Sequence, residues 1–373
     1  MYIARIKLTN FKNYAFGDAT FSKGYNLITG KNGQGKTNLL DSIYLLCMTK
    51  SYFQFSEKNV VRHSEDFFRV EGIFNESDHD LKVVCKYRSG VKKHFEIDDK
   101  GIGKYSDFIG RFPVVMVTPN DIHLIEEGSD ERRKFMDITI CQHDHLYLKE
   151  LNQYNKILLQ RNSLLKQINR GQASRMDLVD YYAEQLAQLA YNISLKRMAF
   201  TAEVSKNYTE IYNHLTDGEE PASCAYLPNV SGSVEEILLM INEDIRKDLI
   251  LERTSRGVHK DEIEFLLRSL PVKKTGSQGQ IKSAIFSAKL AQYQWLRDKK
   301  QVLPLLLLDD IFDKLDHDRV GRLLSFIDQP GYGQIFITDT YDERLIGILP
   351  NLHKEVSIFK IQSDKILRVN GSQ

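Results

Sequence analysis

Residues 27–46 read LITGKNGQGKTNLLDSIYLL, and this stretch decides the fold of the chain. An apolar, strand-like start (Leu27–Thr29) meets a glycine-rich loop, and the loop opens into a helix-like segment. Gly30–Thr37 fits the pattern G-x-x-x-x-G-K-[ST] of phosphate-binding loops (P-loops). A strand before the loop and a helix after it are the context that this pattern requires. The stretch therefore predicts a nucleotide site on a fold that alternates strands and helices.

The loop positions have separate physical roles. Gly30 and Gly35 permit backbone angles that a side chain would obstruct, so that the loop can turn its N–H groups toward phosphates. The following helix points its positive N-terminal end at the same place. Lys36 is expected to reach the β- and γ-phosphates, and Thr37 to place its hydroxyl on Mg²⁺. The predicted nucleotide-binding residues are Gly30, Lys31, Asn32, Gly33, Gln34, Gly35, Lys36, Thr37 and Asn38.

An acidic partner for the loop lies in PLLLLDDIFDKLD, residues 304–316. Leu305–Leu308 is typical of a fully buried parallel strand. Asp309 is expected to hold Mg²⁺, and Asp310 to orient or deprotonate the attacking water. Lys36 and Asp309 stand 309 − 36 = 273 positions apart. One site therefore joins the two ends of the chain, unlike the sites of small nucleoside kinases and small GTPases.

Composition narrows the classes of protein further. The 373 residues are 42% hydrophobic, with a formal net charge of +1, so any nucleic-acid surface is a local patch. No apolar run is long enough to span a membrane, and the N-terminus has no signal-peptide pattern. The four cysteines follow no metal-binding spacing, which predicts reduced thiols in a cytoplasmic protein without zinc.

The pattern predicts three regions. Residues 1–120 form strands around the P-loop, residues 121–249 are an inserted, mainly helical lobe, and residues 250–373 carry the second half of the site. From about Ser129 to about Leu215 the three-four spacing favours an antiparallel helical hairpin, with arms on the order of 35–40 Å. An ordinary helical bundle packed on the core is the alternative interpretation.

A third element precedes a long amphipathic helix. Its residues are Ser277, Gln278, Gly279 and Gln280. Serine and glycine at a helix N-terminus can bind an anion or simply cap the helix. Taken alone, the segment leaves both interpretations open.

Together the three elements resemble the head of an ABC-type ATPase, in which the signature segment of one protomer closes over nucleotide held by another. The order of further motifs is similar to that of the bacterial RecF family over almost the whole chain. Those motifs are LTNFKNY (8–14), GKNGQGKTNLLDSIYLL (30–46), TPNDIHLIEEGSDERRKFMD (118–137), YNKILLQRNSLLK (154–166), GVHKDE (257–262), SQGQ (277–280) and LLLLDDIFDKLD (305–316).

The resemblance implies an α/β fold: an ABC-type P-loop ATPase head of the Rad50/SMC kind with an inserted helical second lobe. It also implies a cytoplasmic protein of DNA replication, recombination and repair, including the SOS response. Such a protein dimerises on ATP and binds duplex DNA at single-strand gaps or junctions, with little sequence specificity. With RecO and RecR it promotes loading of RecA, and slow, DNA-dependent ATP hydrolysis resets it.

Site roles follow by position. The resemblance makes Lys36 and Thr37 ligands of ATP and Mg²⁺, Asp309 the Walker B aspartate and Asp310 the catalytic carboxylate. Ser277–Gln280 would act in trans on the ATP of the partner, and Asp316 would form the D-loop. Lys12 is a possible phosphate contact and, equally, an exposed loop lysine.

Two segments depart from related patterns. The family form after Gly257 is Pro-His-Arg-Asp-Asp, whereas this chain has Val258-His259-Lys260-Asp261-Glu262, and lysine lacks the bidentate fork of arginine. Asp339 stands where ABC transporters have a switch histidine, which argues against a transporter subunit. No convincing Q-loop glutamine lies near Thr118–Asp121.

Arg132 and Arg133 begin the densest basic run of the early helical region and are candidate DNA phosphate contacts, although a solvated charged face also explains them. The alternatives are a non-repair ABC ATPase, an architectural head of the SMC or Rad50 type, and a small-molecule kinase. Sustained heptads of a long coiled coil are absent, and no acceptor pocket for a kinase can be identified.

Overall fold

The computed structural model describes residues 1–54, 56–172, 174–218, 220–310, 317–340, 353–362 and 364–369. The chain divides into two compact units: unit 1 is Met1–Asp121, His214–Asp217 and Phe286–Gln373, and unit 2 is Ile122–Asn213 and Gly218–Ile285. In the described part of the chain no helix is long and apolar enough to cross a membrane. All four cysteines are buried, and none forms a disulfide bond in the described part of the chain.

The strands, in chain order, are β1 (Tyr2–Phe11), β2 (Tyr14–Thr20), β3 (Tyr25–Thr29), β4 (Phe67–Glu76), β5 (His79–Arg88), β6 (His94–Ile97), β7 (Lys100–Gly101), β8 (Val114–Val117), β9 (Ala222–Leu227), β10 (Glu262–Leu267), β11 (Leu270–Pro271), β12 (Leu305–Leu308), β13 (Ile335–Asp339), β14 (Val356–Gln362) and β15 (Lys365–Val369). The α-helices are α1 (Lys36–Met48), α2 (Tyr105–Phe108), α3 (His123–Glu126), α4 (Ser129–His143), α5 (His145–Asn169), α6 (Met176–Thr216), α7 (Val234–Glu243), α8 (Ile245–Leu251), α9 (Val272–Thr275), α10 (Gln278–Lys300) and α11 (His317–Ile327).

Unit 1 contains two sheets and the helix of the P-loop. One sheet is antiparallel, in the order β2-β1-β4-β5-β6-β7. The other has the order β15-β14-β3-β13-β12-β8, in which the neighbours from β14 to β8 are parallel and β15 is antiparallel to β14. Every residue of β3, β8, β12 and β13 is buried, as expected for parallel strands covered on both faces. The predicted strand Leu305–Leu308 is confirmed.

Helix α1 contacts strands of both sheets, including β4 and β13. Eleven of its thirteen residues are buried, because a helix between two apolar layers has no solvent face. This packing fixes the P-loop, since the helix follows it directly.

Unit 2 contains the predicted helical hairpin. Helices α5 and α6 are joined by hydrogen bonds between Glu150 and Asn192 and between Tyr147 and Arg197. Farther along the hairpin, Leu164 and Leu165 of α5 pack with Val179 of α6 in a hydrophobic cluster. Residue numbers rise on one helix as they fall on the other, so the helices are antiparallel. Ile245 and Leu249 of α8 pack on the same cluster. The hairpin is thus part of a small bundle, which combines the two alternatives that the sequence left open.

The division into units differs from the predicted one at its second boundary. Residues 250–285, assigned from the sequence to the ATPase head, lie in unit 2. The reason is strand pairing: β10 is antiparallel to β9 over Glu262–Leu267 and Ala222–Leu227. The first boundary, after residue 120, falls one position from the observed end of the first segment of unit 1.

Candidate nucleotide-binding site

The P-loop joins β3 to α1, the context predicted from the sequence. Gly30 and Gly35 have φ of +149° and +113°, in the region that side chains rarely adopt. A Cβ atom at Gly30 would lie 2.6 Å from the carbonyl oxygen of Ile361, and one at Gly35 would lie 2.5 Å from Nδ2 of Asn13. Both glycines are therefore required by conformation and by space.

The β1–β2 turn braces the loop from outside. Asn13 Nδ2 donates to the carbonyl of Gln34 at 2.8 Å, and Tyr14 Oη donates to the carbonyl of Gly35 at 2.9 Å. Asn38 Nδ2 donates to Asn13 Oδ1 at 2.7 Å. These braces were not predicted, because nothing in the pattern of LTNFKNY says which loop it will contact.

Lys12, in the same turn, forms an ion pair with a residue of α1. Its ammonium lies 2.6 Å from a carboxylate oxygen of Asp41, which is fully buried. The structure therefore gives Lys12 a pairing role on α1, and the alternative of an exposed loop lysine is wrong, since its side chain is only 10% exposed.

Lys36 is folded back over the P-loop. Its Nζ donates to the carbonyl of Gly30 at 2.7 Å and lies 3.4 Å from the carbonyl of Lys31. The residue is 7% exposed, so the charge is held at the loop rather than in solvent. Lys31, Asn32 and Gly33 are exposed, as expected of loop residues that would face a ligand.

The two halves of the site meet in the structure. Thr37 Oγ1 lies 2.9 Å from both carboxylate oxygens of Asp309, at the end of β12. Asp309 is 4% exposed, and burial raises its pKa, while hydrogen bonds from Thr338 and Thr37 and the charge of Lys36 oppose that rise. A buried carboxylate of this kind is stabilised by a cation.

This donor set fits Mg²⁺. A hydroxyl and a carboxylate are hard oxygen ligands, and Mg²⁺ typically takes few protein ligands and completes its shell with phosphate oxygens and water. Among the described residues no group of three or more His, Cys, Asp or Glu could hold a metal ion. Thr37 and Asp309 are thus brought together with oxygen atoms of a kind that Mg²⁺ binds, and their role as metal ligands stays a prediction.

Asp310, the predicted catalytic carboxylate, directly follows Asp309. Its φ is +50°, which is uncommon for a residue other than glycine. Its backbone N–H donates to Thr338 Oγ1 at 2.9 Å. Thr338 belongs to β13, the strand between β3 and β12, and its role was not predicted.

The residue that follows β13 also reaches the P-loop. Thr340 Oγ1 donates to Asn32 Oδ1 at 3.1 Å. Asp339, at the position of the transporter switch histidine, is 1% exposed and pairs in register with Thr29.

The predicted signature segment begins α10. Ser277 N donates to Gln280 Oε1 at 2.6 Å, and Gln280 N donates to Ser277 Oγ at 3.3 Å. This reciprocal pair is a capping box, so the segment caps its helix in the structure described. Gln280 Nε2 also donates to Glu220 at 2.6 Å. Its action in trans stays a prediction, and Asp316 lies outside the described residues.

Arg132 and Arg133 are engaged within unit 2. The guanidinium of Arg132 makes two bonds to Glu262, of 2.6 and 2.8 Å, and the residue is 8% exposed. Arg133 donates to the carbonyl of Asp261 at 2.8 Å and pairs with Asp130. This geometry does not favour the predicted DNA contacts, which stay untested.

The motif GVHKDE (257–262) contributes a buried, hydrogen-bonded aspartate to the interior of unit 2. Asp261 is fully buried and accepts from Arg197, Tyr226 and the N–H of Asn229. Burial raises the pKa of Asp261, and the charge of Arg197 opposes this. Lys260, by contrast, is exposed. The motif therefore has a structural function that its sequence did not indicate.

Comparison with known proteins identifies the family. The family model described as the RecF/RecN/SMC N terminal domain matches residues 2–364. "DNA replication and repair protein RecF" of Flavobacterium johnsoniae is 38% identical over 361 residues, which cover 97% of this chain and 100% of the relative. The chain belongs to the RecF family. The protein of the same name from Cytophaga hutchinsonii is 39% identical, over 100% of this chain and 98% of the relative.

Solved structures agree with this assignment. The "recombination mediator protein RecF-ATP in RecFOR pathway" matches with a TM-score of 0.89 at 28% identity, over 99% of this chain and 97% of that one. An Smc head bound to the C-winged helix domain of ScpA matches with a TM-score of 0.58 at 17% identity, over 99% and 98%. The predicted fold class, an ABC-type ATPase head related to SMC heads, is confirmed.

Proposed function

We propose that this chain is an ATP-switched DNA repair protein. In this proposal it binds ATP and Mg²⁺, dimerises, and holds duplex DNA at single-strand gaps or junctions. With RecO and RecR it promotes the loading of RecA in the cytoplasm. Weak, DNA-dependent hydrolysis of ATP resets the dimer.

One observation carries the proposal: Thr37 and Asp309 are in hydrogen-bond contact at 2.9 Å although they stand at opposite ends of the chain. The fold serves to build this site, and the relatives that share the whole fold are named as DNA replication and repair proteins. A full-length relative is described with ATP in the RecFOR pathway. These names support ATP binding and the RecO and RecR partnership as properties to test in this chain.

Each residue of the site has its own role in the proposed hydrolysis of ATP. The P-loop amides and Lys36 bind the β- and γ-phosphates and neutralise charge that develops on them. Thr37 and Asp309 hold Mg²⁺, which would supply further neutralisation of the phosphate oxygens. Asp310 orients a water whose oxygen forms a bond to the γ-phosphorus as the bond to the β,γ-bridging oxygen breaks. The proton of the water passes to the Asp310 carboxylate, and ADP and inorganic phosphate leave.

Dimerisation would follow from the signature segment. Ser277–Gln280 would contact the γ-phosphate held by the P-loop of a second copy, with Asp316 at the same interface. In the described chain Ser277 caps its own helix with a Gln280 bond. A helix N-terminus that is already capped still presents free N–H groups to an anion.

Light scattering of the Asp310→Asn protein, with and without Mg·ATP, tests the proposal first. Slow turnover traps the ATP state, so the mass is expected to double from the 43.2 kDa of one chain. Lys36→Met is the matched control and is expected to stay monomeric, because it removes the cation at the phosphates. Ser277→Arg is expected to bind ATP without dimerising. If Asp310→Asn binds ATP and its mass does not change, the in-trans role is wrong.

DNA binding is tested on the same proteins. Retention of gapped duplex DNA is expected to require ATP and to weaken steeply with salt, because phosphate contacts release counterions. Arg133→Gln is the informative variant for the proposed contacts of Arg132 and Arg133, since removing Arg132 would also break its partly buried ion pair with Glu262. Equal DNA affinity of Arg133→Gln and the parental protein would exclude that contact.

The alternative, an architectural head of the SMC or Rad50 type, is less well supported. Identity to the Smc heads is 17%, against 38% for RecF proteins of full length. The paired helices α5 and α6 have 25 and 41 residues, which is short for a chromosomal coiled coil.

A further inference from the structure

The strand β13 stands between the two strands that carry the nucleotide site. It is parallel to β3 on one side and to β12 on the other, in the order β3-β13-β12. Thr338 is its penultimate residue and is fully buried. Its side chain is thus fixed between the P-loop strand and the strand that ends in two aspartates.

The Thr338 hydroxyl bridges those two aspartates. Oγ1 lies 2.8 Å from Asp309 Oδ1 and 2.9 Å from the backbone nitrogen of Asp310. An amide N–H can only donate, so the hydroxyl accepts from Asp310 and directs its single hydrogen to the Asp309 carboxylate. Both bonds have good lengths, and neither has an alternative direction.

Both aspartates gain from this bridge. Asp309 is oriented with one oxygen fixed by Thr338 and with both oxygens near Thr37. Asp310 has a φ of +50°, which a residue with a side chain rarely adopts unless its surroundings hold it there. The bond to its N–H is such a restraint, and it sets the direction in which the Asp310 side chain leaves the backbone.

We propose that Thr338 is a positioning residue for ATP hydrolysis: its hydroxyl holds the metal carboxylate and the water-orienting carboxylate in their working arrangement. This inference rests on the proposed ATPase function and deepens it. Thr338 does not contact the substrate, so its removal leaves phosphate binding by the P-loop intact. It affects the Mg²⁺-dependent part of binding and the chemical step.

The response to Mg²⁺ gives a readout specific to this role. Thr338 donates to Asp309, the carboxylate proposed to hold the metal, so loss of its hydroxyl weakens the enhancement of ATP binding by Mg²⁺. A change that only lowers the stability of the fold leaves that enhancement as it is.

Thr338→Val, with nearly the same shape and no hydroxyl, tests the inference against Thr338→Ser, which keeps the hydroxyl. A fluorescent ATP analogue is titrated with and without Mg²⁺, and hydrolysis is followed at saturating Mg·ATP. For valine we expect unchanged affinity without Mg²⁺, weaker enhancement by Mg²⁺ and at least about a 10-fold lower kcat. Serine is expected to restore most of the loss.

Thr139→Val is the matched control, because Thr139 is also fully buried and donates only to the carbonyl of Phe135 on its own helix. It is expected to change stability without changing the Mg²⁺ response or kcat. If Thr338→Val does not fold, Thr338→Ala provides the same comparison. Parental kcat and Mg²⁺ response in the folded hydroxyl-free variant would overturn the inference. Failure of the parental protein to bind or hydrolyse ATP would instead overturn the proposed function.

Discussion

His259 is expected to make the stability of unit 2 depend on pH. Its Nε2 lies 3.0 Å from the carbonyl oxygen of Thr254, and its Nδ1 lies 2.7 Å from Tyr154 Oη. A carbonyl only accepts, so Nε2 carries the hydrogen, and in the neutral ring Nδ1 accepts from the tyrosine hydroxyl. Burial lowers the pKa of His259 from 6.5 to about 4; the Thr254 carbonyl opposes this, and the charges of Lys260 and Arg133 add to it.

The sign and size follow from proton linkage. Between pH 6.5 and about 4 the unfolded chain binds a proton at this position that the folded chain does not. The free energy of unfolding therefore falls as the pH falls through this window. For one such group the loss between pH 7 and pH 5 is about 2 kcal/mol.

Urea unfolding of the parental protein and of His259→Gln, followed by circular dichroism, measures this effect. Glutamine supplies a hydrogen-bond donor and an acceptor but does not titrate. In the difference between the two proteins, the contributions of all other titrating groups to the pH dependence cancel. The parental protein is expected to be more stable at pH 7, and its advantage to shrink by about 2 kcal/mol at pH 5. A difference that stays constant over this range would refute the interpretation of His259 as a partly buried histidine that stays neutral in the folded protein.

Three further outcomes are expected. Gly35→Ala should weaken ATP binding at least about 10-fold in a nucleotide titration, because the φ of Gly35 is +113° and the new Cβ would meet Asn13. Gly33→Ala should weaken ATP binding less, because no atom lies within 4 Å of its new Cβ. Arg161→Met should lower the free energy of unfolding by about 3 kcal/mol, because it leaves the fully buried Asp248 without its partner at 2.7 Å. Arg161→Met combined with Asp248→Asn should recover about half of that loss in the same urea titration, and no recovery would contradict the ion-pair explanation. Chelation of Mg²⁺ with EDTA should abolish hydrolysis and leave weak ATP binding, measured with the same fluorescent nucleotide. The reason is that Thr37 and Asp309 offer Mg²⁺ one hydroxyl and one carboxylate, so EDTA can remove the metal.

The sequence alone was sufficient to single out the segments that the structure brings together at the candidate nucleotide site. The P-loop is a contiguous motif whose chemistry depends on local backbone angles, so Gly30–Thr37 could be recognised without a structure. Asp309 and Asp310 were singled out because four leucines before two aspartates predict a buried strand that ends in paired charge. The helical lobe followed from its three-four spacing.

Contacts between distant residues were decided only by the tertiary structure. No pattern indicated that β13 would stand between β3 and β12, so the bridge made by Thr338 was not predictable. In the same way a basic pair suggested DNA contacts, whereas packing places Arg132 against Glu262. Sequence specifies which groups are present and which local angles are allowed. Sheet order and helix packing determine which groups meet, because hydrogen bonds and ion pairs act over a few ångströms between residues that can be hundreds of positions apart.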